Sequence, residues 1–371
     1  MKVLYYIHSL YVGGAETIVA NSLLTLKEKG VDVVLVQNSR RNTFLDEKID
    51  NAGIPSYTLL PNFNSGILGG ICRAVYYLLG GVRRGWKKII DATEPDIVHC
   101  HTDANLLKYL NFPADKMVCT IHSDVERNKN VLGKGNFNML KKLSKNGMRF
   151  FSLSEKATND INRIYAPAHI AYIPNGVDIT SIRSSCYNRN EFLSSIGVPT
   201  NAFVIGHVGR FHPVKNHKKL IEVFYEVSKK RSDAYLLLVG TGTSEEIANV
   251  KAMVDGFSLT DRVIFLGLRD DASAIMSVMD VFVLPSLSES FSLVLVEAQV
   301  QGVRCIASDA VPQSVVCNAD CFRLSLDEPS DAWADLVVSN STHSDVNSLE
   351  NFDILTVADR MCEEYCRCLN A

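Results

Sequence analysis

The chain contains no apolar run of the roughly 18–20 residues that a helical membrane span requires, although 47% of its residues are apolar. That excludes an integral membrane protein of the helical type and leaves a soluble globular one. Its ten cysteines are scattered and form no Cys-x-x-Cys pair. Cys100, Cys119 and Cys305 lie on apolar stretches, where cysteine behaves as a small hydrophobe. A reducing cytosol fits better than a disulfide framework. Cys362, Cys366 and Cys368 crowd the C-terminal stretch, but the spacing rules for zinc weigh against a metal there. No Gly-x-Gly-x-x-Gly occurs, so the dinucleotide fingerprint is absent. No nucleic-acid motif or aromatic-basic strand pattern occurs either. Met1-Lys-Val-Leu-Tyr-Tyr-Ile is too short and too quickly polar for a signal peptide and reads as a first strand.

At 371 residues the chain has room for two domains with sizeable cores. Its net charge of −3 is the sum of two unlike halves. Residues 1–172 hold 22 Lys+Arg and 15 Asp+Glu, net +7; residues 173–371 hold the remaining 16 and 26, net −10. Two partners of different chemistry are implied.

Short apolar runs alternate with helical patterns along the whole length, the signature of parallel sheets built from βαβ units. In the first half the strands are Lys2–Ile7, Val31–Gln37, Ser56–Leu60, Asp96–Cys100, Met117–Ile121, Phe150–Leu153 and His169–Ile173. Helices are expected over Ala15–Lys29, Ile71–Ala92 with interruptions at Gly80-Gly81 and Gly85, Asn105–Leu110, Asn138–Asn146 and Glu155–Ile164. Pro174-Asn-Gly-Val-Asp178 punctuates the chain. The second half repeats the pattern with strands Phe203–Val208, Ala234–Val239, Arg262–Leu266, Val281–Leu284, Arg304–Ala307 and Cys321–Leu324. The expected organisation is α/β: two Rossmann-like doubly wound domains, 1–175 and 176–348, facing a cleft, with a C-terminal helix in 349–371 crossing back to the first. In such sheets ligands bind beyond the C-terminal strand ends, so the loops there are the candidate site.

The most informative stretch is Leu284-Pro-Ser-Leu-Ser-Glu-Ser-Phe-Ser-Leu-Val-Leu-Val-Glu-Ala-Gln-Val-Gln-Gly302. A strand end, a serine-rich turn and an amphipathic helix from about Ser292 to Gln301 follow one another. The first N–H groups of a helix lack intrahelical partners and favour an anion. Glu289 and Glu297, expected at the helix mouth, suit hydroxyl groups. An anion with hydroxyls points to a sugar phosphate or a nucleotide. Gly206-His-Val-Gly-Arg-Phe-His-Pro-Val-Lys-Asn216 supplies Arg210 and Lys215, two cations on one loop and suited to a diphosphate. In the first half, Gly13-Gly14 opens a helix and lets backbone approach a ligand. His122-Ser-Asp124 follows a strand directly, where a histidine can bind a hydroxyl or phosphate or move a proton. His99 and His101 share one strand face. No further ligand stands at metal spacing, and His101, at the strand end, is a candidate cleft residue.

Taken together, Gly13-Gly14-Ala-Glu16, Pro174-Asn-Gly-Val-Asp178, Gly209-Arg210 with Lys215-Asn216, Phe265-Leu-Gly267, Pro285-Ser286 and Glu289 with Glu297-Ala298 and Gly302 resemble the retaining glycosyltransferases of family 4. These have the two-Rossmann-domain GT-B fold. The variant Leu-Val-Leu-Val-Glu-Ala-Gln with Cys305-Ile-Ala-Ser-Asp309 is similar to the bacterial exopolysaccharide and capsule subgroup. The resemblance implies that Arg210 and Lys215 grip a donor diphosphate, beside Gly209, and that N–H groups of Ser292, Leu293 and Val294 complete the cradle. It implies Glu297 on the ribose, Glu289 on a donor-sugar hydroxyl, Gly14 against the diphosphate and His122 facing the donor sugar. Asn175 and Arg269 join Gly13 and His101 as candidate cleft residues. The donor implied is a UDP-sugar and the acceptor a glycan or lipid-linked oligosaccharide, with no metal or other cofactor. The family's Glu-Gly-Phe-Gly is Glu289-Ser-Phe-Ser292 here, so a different loop geometry is expected. Gly302-Val-Arg304 and Ala310-Val-Pro-Gln313 also depart from the family pattern.

Ile71, Val75, Leu78 and Leu79, followed by Arg83, Arg84, Trp86, Lys87 and Lys88, suit an anionic bilayer surface. Arg127, Lys129, Lys134, Lys141, Lys142, Lys145 and Arg149 add basic charge. The expectation is a cytoplasmic enzyme, at the inner face of the membrane, working on surface polysaccharide. A nucleotide-sugar epimerase or hydrolase on the same fold, and a non-catalytic sugar-nucleotide-binding subunit, are the alternatives.

Overall fold

The structure is a computed structural model and describes residues 1–11, 13–61, 67–101, 104–122, 125, 133–340 and 348–370. Arg127, Lys129, Ser123 and Asp124, named above, lie outside the described residues. The chain divides into two compact units, Met1–Gly176 with Ile354–Ala371, and Val177–Asp353.

The first unit is built on seven strands: β1 (Lys2–Ile7), β2 (Asp32–Gln37), β3 (Ser56–Thr58), β4 (Ile97–His101), β5 (Met117–Thr120), β6 (Arg149–Ser152) and β7 (Ile170–Tyr172). They pair in the order β3-β2-β1-β4-β5-β6-β7, parallel throughout. Parallel pairing needs a crossover after each strand, and the crossovers cover both faces of the sheet. That is why the inner strands are apolar without alternation. On one face lie α1 (Gly14–Glu28), α2 (Phe44–Asn51) and, from the far end of the chain, α14 (Ile354–Leu369), which buries Val357, Ala358, Met361 and Tyr365 against Tyr5, Leu23 and Phe151. The other face carries α4 (Gly81–Thr93), α5 (Gly133–Lys145) and α6 (Glu155–Tyr165), with Trp86, Leu140 and Ile161 in its core.

The second unit repeats the scheme with β8 (Phe203–Val208), β9 (Ala234–Val239), β10 (Val263–Gly267), β11 (Val281–Leu284), β12 (Arg304–Ser308) and β13 (Cys321–Leu324). Their order is β10-β9-β8-β11-β12-β13. Its helices are α7 (Ile179–Ser184), α8 (Arg189–Ser195), α9 (His217–Lys230), α10 (Ser244–Gly256), α11 (Ala272–Met276), α12 (Leu293–Val300) and α13 (Ser330–Val338). Both sheets are Rossmann-like, and both reverse winding at their centre: between β1 and β4 in one, between β8 and β11 in the other. The C-terminal ends of those strands are where such sheets hold ligands.

Four expectations need correction. Over Ile71–Ala92 the expected break falls at Gly80-Gly81, where Gly80 adopts a left-handed conformation (φ 70) between α3 (Ile67–Leu78) and α4, but Gly85 lies inside α4 and interrupts nothing. The stretch Asn105–Leu110 is a 3-10 turn, Asn105–Tyr109, rather than an α-helix. Two short helices went unforeseen: α2 opens on a capping box in which Thr43 and Asp46 satisfy each other's backbone N–H, and α7 is capped by Asp178. Finally, α12 is not amphipathic. Leu295, Val296, Ala298, Gln299 and Val300 are all buried, since the helix is enclosed by its own unit.

Candidate active site

In the second unit, β8 and β11 are direct neighbours, with Ile205 opposite Val281 and Gly206 opposite Phe282. Gly206 allows this packing: a Cβ there would meet the Met279 sulfur at 1.9 Å. The loops leaving the two strands are therefore adjacent, though more than 70 residues separate them. After β8 the chain runs through Gly209 and Arg210 into a 3-10 turn, Pro213–Lys215. Asn216, in a left-handed conformation, then caps α9 by accepting from the Lys219 N–H at 3.4 Å. After β11 comes Pro285–Ser292. The Leu287 N–H donates to the Val214 carbonyl at 2.7 Å, and the Ser308 hydroxyl donates to the Ser286 carbonyl at 2.6 Å. Across this joint Lys215 Nζ lies 2.7 Å from Glu289 Oε1, with both side chains largely buried.

Close backbone approach shapes the first of these loops. Gly240, just beyond β9, has φ +142, and a Cβ on it would sit 2.0 Å from the Gly209 carbonyl oxygen. A Cβ on Gly209 would be 3.2 Å from His207 Nε2 and 3.4 Å from Lys215 Cε. His207 donates from Nδ1 to the Val283 carbonyl at 2.8 Å, which fixes its tautomer and leaves Nε2 as an acceptor. That atom is buried with no partner among the described residues. Burial, and then the neighbouring His217, hold the His207 pKa well below the ordinary histidine value. On sequence His207 passes for a core residue within an apolar strand; only its place beside Gly209 and Lys215 shows that it packs beneath the loop.

Ser292 is the N-cap of α12 and has φ 86, ψ 77, a left-handed conformation that glycine tolerates and serine resists. Its side chain makes no capping bond, and its hydroxyl is buried without a partner among the described residues. The first N–H groups of α12, from Leu293 and Val294, are thus uncapped by side chains. Glu297 is not at the helix mouth as expected but more than one turn in. It is half-buried, and its carboxylate makes no ion pair or hydrogen bond among the described residues. Desolvation raises its carboxyl pKa to about 7. Gln299 anchors the helix from behind: its amide donates to the Leu295 and Val315 carbonyls and its oxygen accepts from the Cys317 and Asn318 N–H groups.

The remaining two arginines differ. Arg210 is exposed, with no ion pair among the described residues, so its guanidinium is available to an anion. Arg269 is held by Asp271, Nε to Oδ1 at 2.8 Å and Nη2 to Oδ2 at 2.5 Å. Tyr187 donates to the same carboxylate. The Arg269 contact, and secondarily the Tyr187 hydroxyl, hold Asp271 at about 2.

In the first unit, Gly13 is extended (φ −168) and caps α1, and Gly14 begins the helix. A Cβ on Gly14 meets no protein atom within 4 Å, so packing alone does not demand glycine there. His101 ends β4, and its Nδ1 is 2.9 Å from His122 Nε2 beyond β5. The rings stack at 5.2 Å. Desolvation lowers His122 to about 4 and holds His101 well below the ordinary value, so both are neutral at pH 7. Behind them, His99 is fixed by Thr120 at 2.8 Å and by the Tyr365 hydroxyl of α14 at 2.6 Å. Asn175 is buried in the turn after β7. Its neighbour Gly176 is glycine because a Cβ would meet Ile354 Cα at 2.9 Å, where the chain re-enters this unit.

Two family models match the chain, Glycosyltransferase Family 4 over residues 12–181 and Glycosyl transferases group 1 over residues 202–339. EpsF of Bacillus subtilis (strain 168), named as a glycosyltransferase, is 34% identical over 166 residues, 44% of this chain and 43% of that protein. An Escherichia coli UDP-Gal:alpha-D-GlcNAc-diphosphoundecaprenol alpha-1,3-galactosyltransferase is 34% identical over 153 residues, 40% of this chain and 39% of that protein. The matches thus span about two-fifths of the length of these relatives. Among solved structures, Anabaena HepE in complex with UDP and glucose superposes with a TM-score of 0.79 at 19% identity, covering 99% of this chain and 100% of that one. Its complex with UDP-glucose gives 0.76 with the same identity and coverage. With family models matched on both units and the Rossmann-like pair of sheets in common, the chain belongs to the family 4 glycosyltransferases of GT-B fold.

Proposed function

We propose that the protein is a retaining hexosyltransferase that moves a sugar from a UDP-sugar to a glycan or lipid-linked acceptor in surface polysaccharide synthesis. The observation that carries the reading is the joint at the β8/β11 switch point. There Lys215 and Glu289 meet beside the uncapped N-terminus of α12. Arg210, Lys215 and the Leu293 and Val294 N–H groups would neutralise the donor diphosphate, so the reading calls for no metal or other cofactor. An ammonium has three donors, so Lys215 can keep Glu289 while it binds a phosphate oxygen. Glu289 would accept from a donor-sugar hydroxyl and Glu297 from the ribose. For the first unit the reading assigns substrate contacts to Gly14 and His122, the latter as a neutral ring held by His101. In the transfer itself the bond from the anomeric carbon to the diphosphate oxygen breaks. The acceptor oxygen bonds to the same face of that carbon, and its proton passes to the departing phosphate. Two similar proteins, a UDP-Gal-dependent galactosyltransferase and one solved with UDP-glucose, favour UDP over other nucleotides. The reading places the reaction in the cytoplasm.

The experiment is a thermal-shift panel of nucleotide sugars, followed by transfer assays with the best binder. A ligand that binds only the native state raises its melting temperature. A UDP-sugar is expected to give the largest shift, and Lys215→Ala to abolish both shift and transfer while the protein stays folded. Turnover of the donor that needs no acceptor would favour an epimerase or hydrolase.

A further inference from the structure

We propose that the α3–α4 face of the first unit docks on an anionic phospholipid bilayer, with α3 lying in the plane of the interface. Leu68, Ile71, Val75, Leu78 and Leu79 are 79, 54, 45, 85 and 65% exposed. At ~100° per residue they fall within about 120° of one helix face. Elsewhere among the described residues, exposed large hydrophobic side chains are scattered along the chain.

The stripe is held outward by the packing of the opposite face. The Tyr76 hydroxyl donates to the Leu59 carbonyl at 3.1 Å. Its ring lies so close to Gly81 that a Cβ there would approach it to 2.4 Å. The α3–α4 joint therefore fits only with Tyr76 turned in, which leaves the leucines in water. Arg83, Arg84, Lys87 and Lys88 are exposed on α4. A shallow groove of about 520 Å³ is lined by Arg84, Lys87, Lys88, Asp91 and Ala92. No acidic residue occurs in α3, and Asp91 is the one in α4, bound to Lys87 at 2.6 Å.

Charge selects the occupant. A second copy of this face would set two clusters of cations against each other, whereas anionic headgroups complement them. Length selects the geometry. The twelve residues of α3 span about 18 Å, too short to cross a bilayer and sufficient to lie in its surface. Among the described residues no helix is long and apolar enough to span a membrane. The proposal rests on α3 and α4 alone and is independent of the donor reading.

The test is co-sedimentation of the full chain with vesicles of phosphatidylcholine alone and of equimolar phosphatidylcholine and phosphatidylglycerol. Wild-type protein is expected to pellet with the anionic vesicles, at least about tenfold more tightly than with the neutral ones. The triple variant Leu68→Ser, Leu78→Ser, Leu79→Ser is expected to lose about tenfold or more on anionic vesicles at an unchanged melting temperature. Arg84→Glu with Lys88→Glu, which leaves the stripe intact, is expected to lose a similar factor and to become insensitive to salt. Wild-type protein that stays in the supernatant with anionic vesicles overturns the proposal. So does wild-type binding by a folded triple variant or by the charge-reversed variant, or a self-association of the wild type that the triple variant abolishes.

Discussion

Lys215 and Glu289 form a 2.7 Å ion pair across the two loops that leave neighbouring strands. They are 74 positions apart in sequence, and each is the largely buried partner of the other. Removing one leaves the other desolvated and unpaired, so the single changes cost more than the pair is worth. Lys215→Met and Glu289→Gln are expected to destabilise by about 1–3 kcal/mol each, with a double-mutant coupling of roughly 1–2 kcal/mol. Urea denaturation of the four proteins measures it, and strictly additive effects would contradict the pairing.

Ser292 pays for its left-handed backbone with strain of about 1 kcal/mol. Ser292→Gly is expected to raise stability by about that amount, with the α12 cap geometry unchanged. Ser292→Ala keeps the strained φ and is expected to gain nothing comparable. A melting temperature that does not separate the two variants would show that the backbone conformation is not the cause.

Gly240 carries no side chain because the Gly209 carbonyl occupies the space. Gly240→Ala must push the Gly209–Lys215 loop away from its neighbour. The expected cost is about 2–4 kcal/mol, with loss of the nucleotide-induced thermal shift even under conditions where the variant is folded. Retention of the full shift would mean that the loop does not hold the nucleotide.

Stability should depend on pH with two opposed signs. Unfolded, His122 and His217 take protons near 6.5; folded and desolvated, each does so near 4. Between those values the unfolded chain binds more protons. Stability is thus full above 6.5 and falls with pH by about 1.4 kcal/mol per unit for each histidine. Glu297 runs the other way. Its folded pKa of about 7 exceeds the ordinary 4.5, so its contribution is present below 4.5 and lost as pH rises through 7. Relative to wild type, Glu297→Gln is therefore expected to gain stability as pH rises from 4.5 to 8, by about 2–4 kcal/mol in all. Denaturation curves across that range check it; a constant difference would remove the desolvated carboxyl from the account.

The strands of both sheets follow from a local signal, the recurrence of short apolar runs between helical patterns, because a parallel strand buried on both faces has no polar side to show. The loops that carry Arg210, Lys215, Glu289 and Ser292 were legible for the same reason: each follows such a run. The break at Gly80-Gly81 was legible because paired glycines punctuate a helical period, whereas the single Gly85 is carried within α4. The buried surroundings of α12 were invisible, because a serine-rich lead-in and one glutamate resemble a solvent-facing pattern.

By itself, then, the sequence determined two Rossmann-like units and which strand ends bear charged loops, for periodicity and turn chemistry are written within a few residues. Tertiary structure alone decided which charges meet. It joined Lys215 to Glu289 by making β8 and β11 neighbours. It left Arg210 exposed. It desolvated Glu297 and forced Ser292 into a conformation meant for glycine. Those outcomes depend on distances between segments far apart in the chain, and no local pattern encodes them.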